Sequence, residues 1–582
     1  MMWQGEWRDA VWQQLQQPLD LLVVGGGITG AGVLREAARM GLKALLVEQR
    51  DFAWGTSSRS SKLVHGGLRY LQTFQFGLTR ASVRERERLM DEAPGLIDSL
   101  GFLLAIYSGD SPGRWKFEAG LTVYDLLALH WTHRHYSAQD FQMLAPHLTV
   151  TRLRGGFRYG DAQTDDARLV LRVLLEAVGA GAWAINYTKA VGLIRDASGS
   201  VTGVRLQDLV AGRTCEAHAR VVVNATGAWA DRLRSEPNCT QRIRPLRGSH
   251  LIFPAWRLPV AQAISFLHPI DRRPVFVFPW EGITLVGTTD IDHQDELDIE
   301  PAISPQEVAY LMAAVQSQFA PLCLQIEDVT ATFAGIRPVI DTGKDDPTKE
   351  SRDHVVWQEN GLLTVTGGKL TTFRLIALDV LSKLRSLLPD SPPADSDHPV
   401  LDPVNPDSLI GTGLSETVRK RLVGRYGARA PALVQAASPS ELEPIPGTTT
   451  LWAELRWAAR SEGVIHLDDL ILRRVRLGLL LPDGAGALLP AIKAICQPEL
   501  GWGDARWSAE ETAYLDLWRA CYSVPDATAV PDWRPELEEA QRARALGSHG
   551  HRRFRKVALG LGLATLVATA VWYLVSRQRR ER

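Results

Sequence analysis

The stretch DLLVVGGGITGAGVLREAARMGLKALLVE, Asp20 to Glu48, decides the fold. Asp20 to Val24 is a short apolar run rich in β-formers, and Lys43 to Val47 is another. The segment between them opens on small residues and continues with helical periodicity, so the order is strand, helix, strand. Gly25, Gly27 and Gly30 occupy the G-x-G-x-x-G positions. The first permits a tight turn, the second lets backbone approach a pyrophosphate, and the third lets helix and strand pack closely. Glu48 ends the second strand, where a carboxylate accepts hydrogen bonds from ribose hydroxyls. All these features in order within about 30 residues point to an ADP-containing dinucleotide. No second glycine motif comes after a strand, so one dinucleotide is expected.

The segment after the acid bears on which dinucleotide. GTSSRSSKLVHGGLRYL, Gly55 to Leu71, is dense in hydroxyls, with Thr56, Ser57, Ser58, Ser60 and Ser61, and carries Lys62, His65, Arg69 and Tyr70. In flavoproteins the segment after the second strand runs beneath the pyrophosphate and ribityl chain, although turn-residue content alone also fits a plain loop. Two later stretches repeat the device of a strand broken by small residues. NATGAWAD (Asn224 to Asp231) contains Ala225 and Gly227, and TGGKLTTFR (Thr366 to Arg374) contains Gly368, Lys369, Leu370 and Thr371. The second break precedes a helix, whose N-terminal amides suit the anionic pyrimidine end of a reduced flavin. Three such breaks, far apart in the chain, imply one cofactor, FAD, held by distant segments. RPLRGSHLIF, PVFVFPWEGITLVGTTD and TATFAGIRPVI read as antiparallel strands of a sheet covering the substrate.

Bulk properties bound the rest. At 582 residues the chain exceeds one compact core, and two or three domains are expected. A formal net charge of -1 excludes the basic excess of a nucleic-acid binder. Five scattered cysteines, none at metal-ligand spacing, read as reduced thiols, with no metal site. The N-terminus lacks the continuous apolar region of a secretory signal. Val557 to Val575 is uncharged and long enough for a ~30 Å hydrocarbon core. Arginine runs bracket it, and Trp572 and Tyr573 sit at one end, so it is expected to span a bilayer rather than pack as a core helix. Gly560, Ala564 and Ala568 form a small-residue stripe along it. The basic residues, six before and four after, bias the preceding body toward the cytoplasm.

The glycine opening, the serine-to-tyrosine block, DDARLVL, NATGAWAD, RGSHLIF, VGTTD, GIRPVI, SRDH and TGGKLTTFR together resemble the FAD-dependent glycerol-3-phosphate dehydrogenases of the respiratory chain, in register from about Asp20 to about Tyr522. The resemblance implies oxidation of glycerol 3-phosphate to dihydroxyacetone phosphate, with electrons leaving to a membrane quinone. It implies an α/β fold: a Rossmann-like FAD-binding domain interleaved with an antiparallel substrate sheet, a C-terminal all-α domain and, in this chain, one C-terminal transmembrane helix. The expected boundaries are 18–395 for the oxidoreductase region, with FAD-binding segments near 18–95, 150–230 and 335–395 and cap segments near 96–149 and 231–334. Beyond it are expected a helical domain at 409–530, a basic linker at 531–556 and the spanning helix at 557–575. The helical domain is given a structural or homodimer-contact role.

Hydride transfer from a secondary alcohol needs a base, an anchor for the phosphate dianion and shelter from water. Arginine suits the anchor because its planar fork meets phosphate oxygens bidentately. Arg337, Arg352, Arg69, Tyr70, His250 and Lys369 match family positions lining the substrate pocket. His250 is the expected base, with Arg337 or Lys369 stabilising a developing alkoxide as the alternative; a histidine beside a strand is also a common packing residue. Expected contacts to FAD come from Gly25, Gly27, Gly30, Glu48, Thr56, Ser57, Ser58, Ser60, Lys62, His65, Ala225, Gly227, Gly335, Gly368, Leu370 and Thr371. The competing activities are a glycerol-3-phosphate oxidase, a flavin amine oxidase and a noncatalytic flavin-binding scaffold. The implied location is the inner face of the cytoplasmic membrane, attached to the lipid bilayer by the single C-terminal pass.

Overall fold

Five apolar runs from distant parts of the chain lie side by side as a parallel sheet, in the order Leu362–Gly367, Thr214–Asn224, Leu19–Val24, Ala44–Val47 and Trp183–Ile185. This is a computed structural model that describes residues 3, 5–68, 75–108, 113–128, 130–234, 242–341, 343 and 353–550. The inner strands have almost no polar face: all four residues of Ala44–Val47 are buried, as are Leu21, Leu22 and Val23. Helix Ile28–Arg39 packs between helices Asp166–Gly179 and Phe373–Leu384. Their approach is close. A Cβ on Gly32 would come within 2.9 Å of the Phe373 ring. Strand His354–Glu359 adds an antiparallel edge, and the hairpin Thr188–Arg195 with Val201–Asp208 continues from the start of Thr214–Asn224.

Among the described residues the second sheet has ten strands. Its centre runs through Ile243–Pro254, Ile283–Gly287, Pro274–Trp280, Ala263–Leu267, Ile97–Tyr107 and Leu153–Thr164. Strand Ala331–Ile340 pairs with Ile243–Pro254 along ten residues, from Ile243 opposite Ile340 to Ile252 opposite Ala331. The three stretches expected as antiparallel strands are therefore neighbours. The expected α/β oxidoreductase fold is present, and so is the C-terminal helical domain, with helices Glu416–Tyr426, Trp452–Ser461, Leu489–Leu500 and Asp504–Cys521. The last three of these helices share a core with the second sheet, where Trp280, Phe278 and Phe333 pack in one cluster with Leu455, Ile492 and Trp518, while Leu422 and Tyr426 of the first sit in a separate small core with Trp457.

One part of the expected fold is corrected. No helix among the described residues is long and apolar enough to cross a membrane. The last described helix, Arg534–Gly550, carries Glu536, Glu538, Glu539 and Arg542 in its first half, too many charges for a spanning segment. Val557 to Val575, the run expected to form the transmembrane helix, lies outside the described residues. A short helix, Trp7–Gln14, is an addition to the expected elements. Its polar composition hides it in the sequence, yet Trp3 beside it stacks on Phe52 at 4.6 Å and Arg8 pairs with Asp208 at 2.8 Å.

Candidate active site

The carboxyl ends of three adjacent parallel strands, Leu362–Gly367, Thr214–Asn224 and Leu19–Val24, meet at one cavity of about 590 Å³. Val24, Asn224 and Thr364 are register partners, so the breaks after them at Gly25, Ala225–Gly227 and Gly367–Gly368 are spatial neighbours. Ligands of open α/β sheets bind at this place, where connections leave the strands in different directions. The turn geometry needs glycine. Gly25 has φ +115°, and a Cβ there would sit 2.5 Å from the Ala225 carbonyl oxygen. A Cβ on Gly30 would lie 1.9 Å from the Gly25 oxygen. Gly27 differs: its backbone is extended, and a Cβ would meet only Ser57, with Oγ nearest at 3.1 Å, so its side is left open toward the cavity.

Helix Ile28–Arg39 starts at Gly27, which has no side chain to cap it. Ser57 supplies the cap from a distance, its Oγ accepting from the Ile28 N–H at 3.0 Å. Glu48 accepts from the Gly26 N–H at 2.6 Å and the Arg50 N–H at 2.8 Å. Burial raises the Glu48 carboxyl above its ordinary range, opposed by those amide bonds. Thr56 Oγ1 donates to the Ile336 carbonyl, tying the serine block to the strand that carries Arg337.

Twelve of the expected residues line this cavity: Gly25, Gly27, Glu48, Thr56, Ser57, Ser60, Ala225, Gly227, Arg337, Gly368, Lys369 and Leu370. Arg337 is held by Asp290, with Nη1 to Oδ1 at 3.1 Å, and Lys369 Nζ donates to Ser82 Oγ at 2.6 Å. Thr371 Oγ1 bonds the His65 backbone, accepting from its N–H at 3.2 Å, and so fixes one glycine break to the end of the serine block.

Other expected residues sit elsewhere. Lys62 and Ser58 are buried away from the cavity: Lys62 Nζ reaches Asp166 at 3.0 Å and the Ser58 carbonyl at 3.1 Å. Burial and the nearby Arg476 pull the Lys62 ammonium down to about 8. Gly335 packs against the Arg59 backbone, where a Cβ would be 2.3 Å from its oxygen. His250 is buried and does not line the cavity: it is stacked on Phe333 at 4.5 Å and hydrogen-bonded through Nε2 to Ser61 Oγ at 2.9 Å. Burial, with Lys62 and Arg337 adding repulsion, pushes its pKa well below 6.5, so its imidazole is neutral at pH 7. Arg69, Tyr70 and Arg352 lie outside the described residues.

The cavity also uses residues that sequence reasoning missed. Strand residues Thr188 to Leu193 form one wall, and Trp54, Trp229 and Asp298 form part of another. Trp229 Nε1 donates to Asp298 Oδ1 at 3.0 Å, and Arg232 pairs with the same carboxylate at 2.8 Å. Asn224 and Trp229 belong to one quoted motif, but nothing local marks Asp298, which arrives from the region of the other sheet.

A glycine turn backed by a helix N-terminus, a carboxylate ending the second strand and two further glycine breaks on adjacent strand ends define an FAD-dependent oxidoreductase. These residues fit the cofactor, because the turn leaves backbone and open volume where side chains would otherwise stand. Residues 20–374 match the family of FAD dependent oxidoreductases, and residues 396–507 match the C-terminal domain of alpha-glycerophosphate oxidase. Among similar proteins, the glycerol-3-phosphate dehydrogenase of Synechocystis sp. is 34% identical over 546 residues, covering 88% of this chain and 97% of that one. The aerobic glycerol-3-phosphate dehydrogenase of Staphylococcus haemolyticus is 32% identical over 495 residues, covering 80% and 88%. The crystal structure of the Bacillus halodurans glycerol-3-phosphate dehydrogenase complexed with FAD superposes with a TM-score of 0.71 at 27% identity, covering 89% of this chain and 98% of that one. The chain belongs to the FAD-dependent glycerol-3-phosphate dehydrogenase family.

Proposed function

We propose that this protein oxidises glycerol 3-phosphate to dihydroxyacetone phosphate and passes the electrons to a membrane quinone. The observation that carries the substrate is the pair of cations, Arg337 and Lys369, lining the same cavity as the glycine breaks. A guanidinium steadied by Asp290 meets a phosphate dianion as a planar fork, a use that an amine substrate does not have. FAD, when bound, accepts the hydride from the carbinol carbon. The chain's own residues anchor the phosphate through Arg337, oppose the developing negative charge at the hydroxyl oxygen through Lys369, and remove the hydroxyl proton through His250. Two points support His250 as the base: it is held neutral, and it bonds to Ser61 in the block that lines the cavity.

A base at that position carries a pH signature. Because the folded pKa of His250 is depressed, kcat/KM falls on the acid side only well below pH 6.5, not near it. Stability has the same sign. Between the depressed folded value and about 6.5 the unfolded chain binds the extra proton, so stability declines as pH falls through that window. The check is His250→Asn, which retains FAD but loses about 100-fold or more in kcat and with it the acid limb. An unchanged acid limb in that variant assigns the base elsewhere.

The quinone reading is supported by the dehydrogenase names of relatives at 32% and 34% identity. The match of residues 396–507 to the C-terminal domain of alpha-glycerophosphate oxidase favours a second reading, in which oxygen is the acceptor. Parallel measurement of quinone reduction in lipid vesicles and of peroxide release separates them. Peroxide formed in equal amount to dihydroxyacetone phosphate, with quinone added, rejects the quinone.

A further inference from the structure

The loop from Asp51 to Lys62 borders the cavity and belongs to neither sheet, although Thr56 bonds the Ile336 carbonyl of one strand. Gly55, Thr56, Ser57 and Ser60 of this loop line the cavity, and Ser57 also caps the dinucleotide helix. Two of its non-glycine residues, Ala53 and Lys62, adopt left-handed backbone, with φ of 63° and 55°. Such conformations persist where surrounding structure holds them. The holding groups come from about 400 residues further along the chain.

Arg473, Arg474 and Arg476 lie in or just after a π-helical turn, Asp469–Arg474, and all three are buried. Arg473 Nε and Arg474 Nη1 each reach Asp51 Oδ2 at 2.6 Å, at the start of the loop. Arg476 Nη2 donates to the Ser58 carbonyl at 2.7 Å and to Asp166 Oδ1 at 2.9 Å. Asp166 in turn accepts from the Ser60 N–H at 2.9 Å and the Ser60 hydroxyl at 2.8 Å, and pairs with Lys62. Tyr522 adds a third point, its hydroxyl accepting from Arg59 Nε at 3.2 Å. The loop is thus tied at its start, middle and end by groups that do not line the cavity. Buried charges of this kind are a poor source of net stability, and setting one geometry is the use they can serve.

We propose that Arg476 is a positioning residue for FAD, and that the C-terminal helical domain serves cofactor retention by clamping the Asp51–Lys62 loop through the Arg473, Arg474 and Arg476 cluster. The domain thereby presents Thr56, Ser57 and Ser60 to the cofactor in a prearranged form. Pre-arrangement lowers the ordering cost of binding, so its loss appears as weaker binding by a protein that still folds.

The test uses purified full-length holoenzyme, diluted in steps, with released FAD read by its fluorescence. Arg476→Met raises the FAD dissociation constant about tenfold or more, and Arg476→Lys, which keeps the charge but loses the planar fork that joins the Leu472 carbonyl through Nη1 to Ser58 and Asp166 through Nη2, raises it by a smaller factor of about three. Arg421→Met is the control. Arg421 makes a buried ion pair with Glu454 at 2.5 Å in the same helical domain, without touching the loop. It lowers the melting temperature while leaving FAD affinity within about twofold. FAD affinity within about twofold of the parent in both Arg476 variants overturns the proposal, as does equal loosening by Arg421→Met. If Arg476→Met fails to fold, Arg476→Lys decides by the same reading.

Discussion

Gly27→Val folds and is colourless. Gly27 has φ -81° and an extended ψ, so valine meets no left-handed penalty, and its Cβ meets nothing nearer than Ser57 Oγ at 3.1 Å. The branched methyls then occupy the open side of the turn, where the pyrophosphate must approach backbone. Overpacking of this kind costs about 1–3 kcal/mol even in yielding surroundings, and a dinucleotide cannot yield, so FAD affinity falls by about 100-fold or more. The measurement pairs visible absorbance per mole of protein with a melting curve. Flavin at the parent's stoichiometry shows the glycine to be only a packing device. Gly30→Val is a harsher contrast, since its clash is with the Gly25 backbone and it disrupts the fold itself.

Arg337→Ala keeps FAD and loses turnover. Arg337 lines the cavity, but its salt bridge is to Asp290, and its role is not to shape a backbone turn. Truncating a charged partner of a sheltered phosphate costs about 2–5 kcal/mol in binding or transition-state stabilisation, and its side chain's partial exposure places this case at the lower end. The expected loss is about 30-fold or more in kcat/KM for glycerol 3-phosphate. Asp290, deprived of this cation, repels the phosphate and adds to the effect. Steady-state kinetics at low substrate is the check, and near-parental kcat/KM removes Arg337 from the substrate site.

The residues legible in the sequence are those whose role is set by neighbours within a few positions. Gly25, Gly27, Gly30 and Glu48 form one local unit, and the breaks at Gly227 and Gly368 each come after their own strand, so spacing alone points to a shared cavity. The serine block is legible as a block but not residue by residue. Ser57 turns toward the dinucleotide helix while Ser58 and Lys62 turn inward, because Asp166 and Arg476 attract Lys62 and the Ser58 carbonyl from distant parts of the chain. Gly335 looks like a cofactor contact and instead accommodates the Arg59 backbone. His250 sits in a strand whose burial depends on pairing with Ala331–Ile340, which no local pattern discloses. Trp54 and Asp298 carry no motif and meet Trp229 only through tertiary structure.

Anaerobic addition of glycerol 3-phosphate to the purified yellow protein tests the central claim most directly. The two-electron reduction of bound FAD by this substrate bleaches the flavin absorbance, in proportion to dihydroxyacetone phosphate formed, and glycerol without the phosphate leaves the colour unchanged. A flavin that stays oxidised with glycerol 3-phosphate while dithionite still bleaches it would contradict the account.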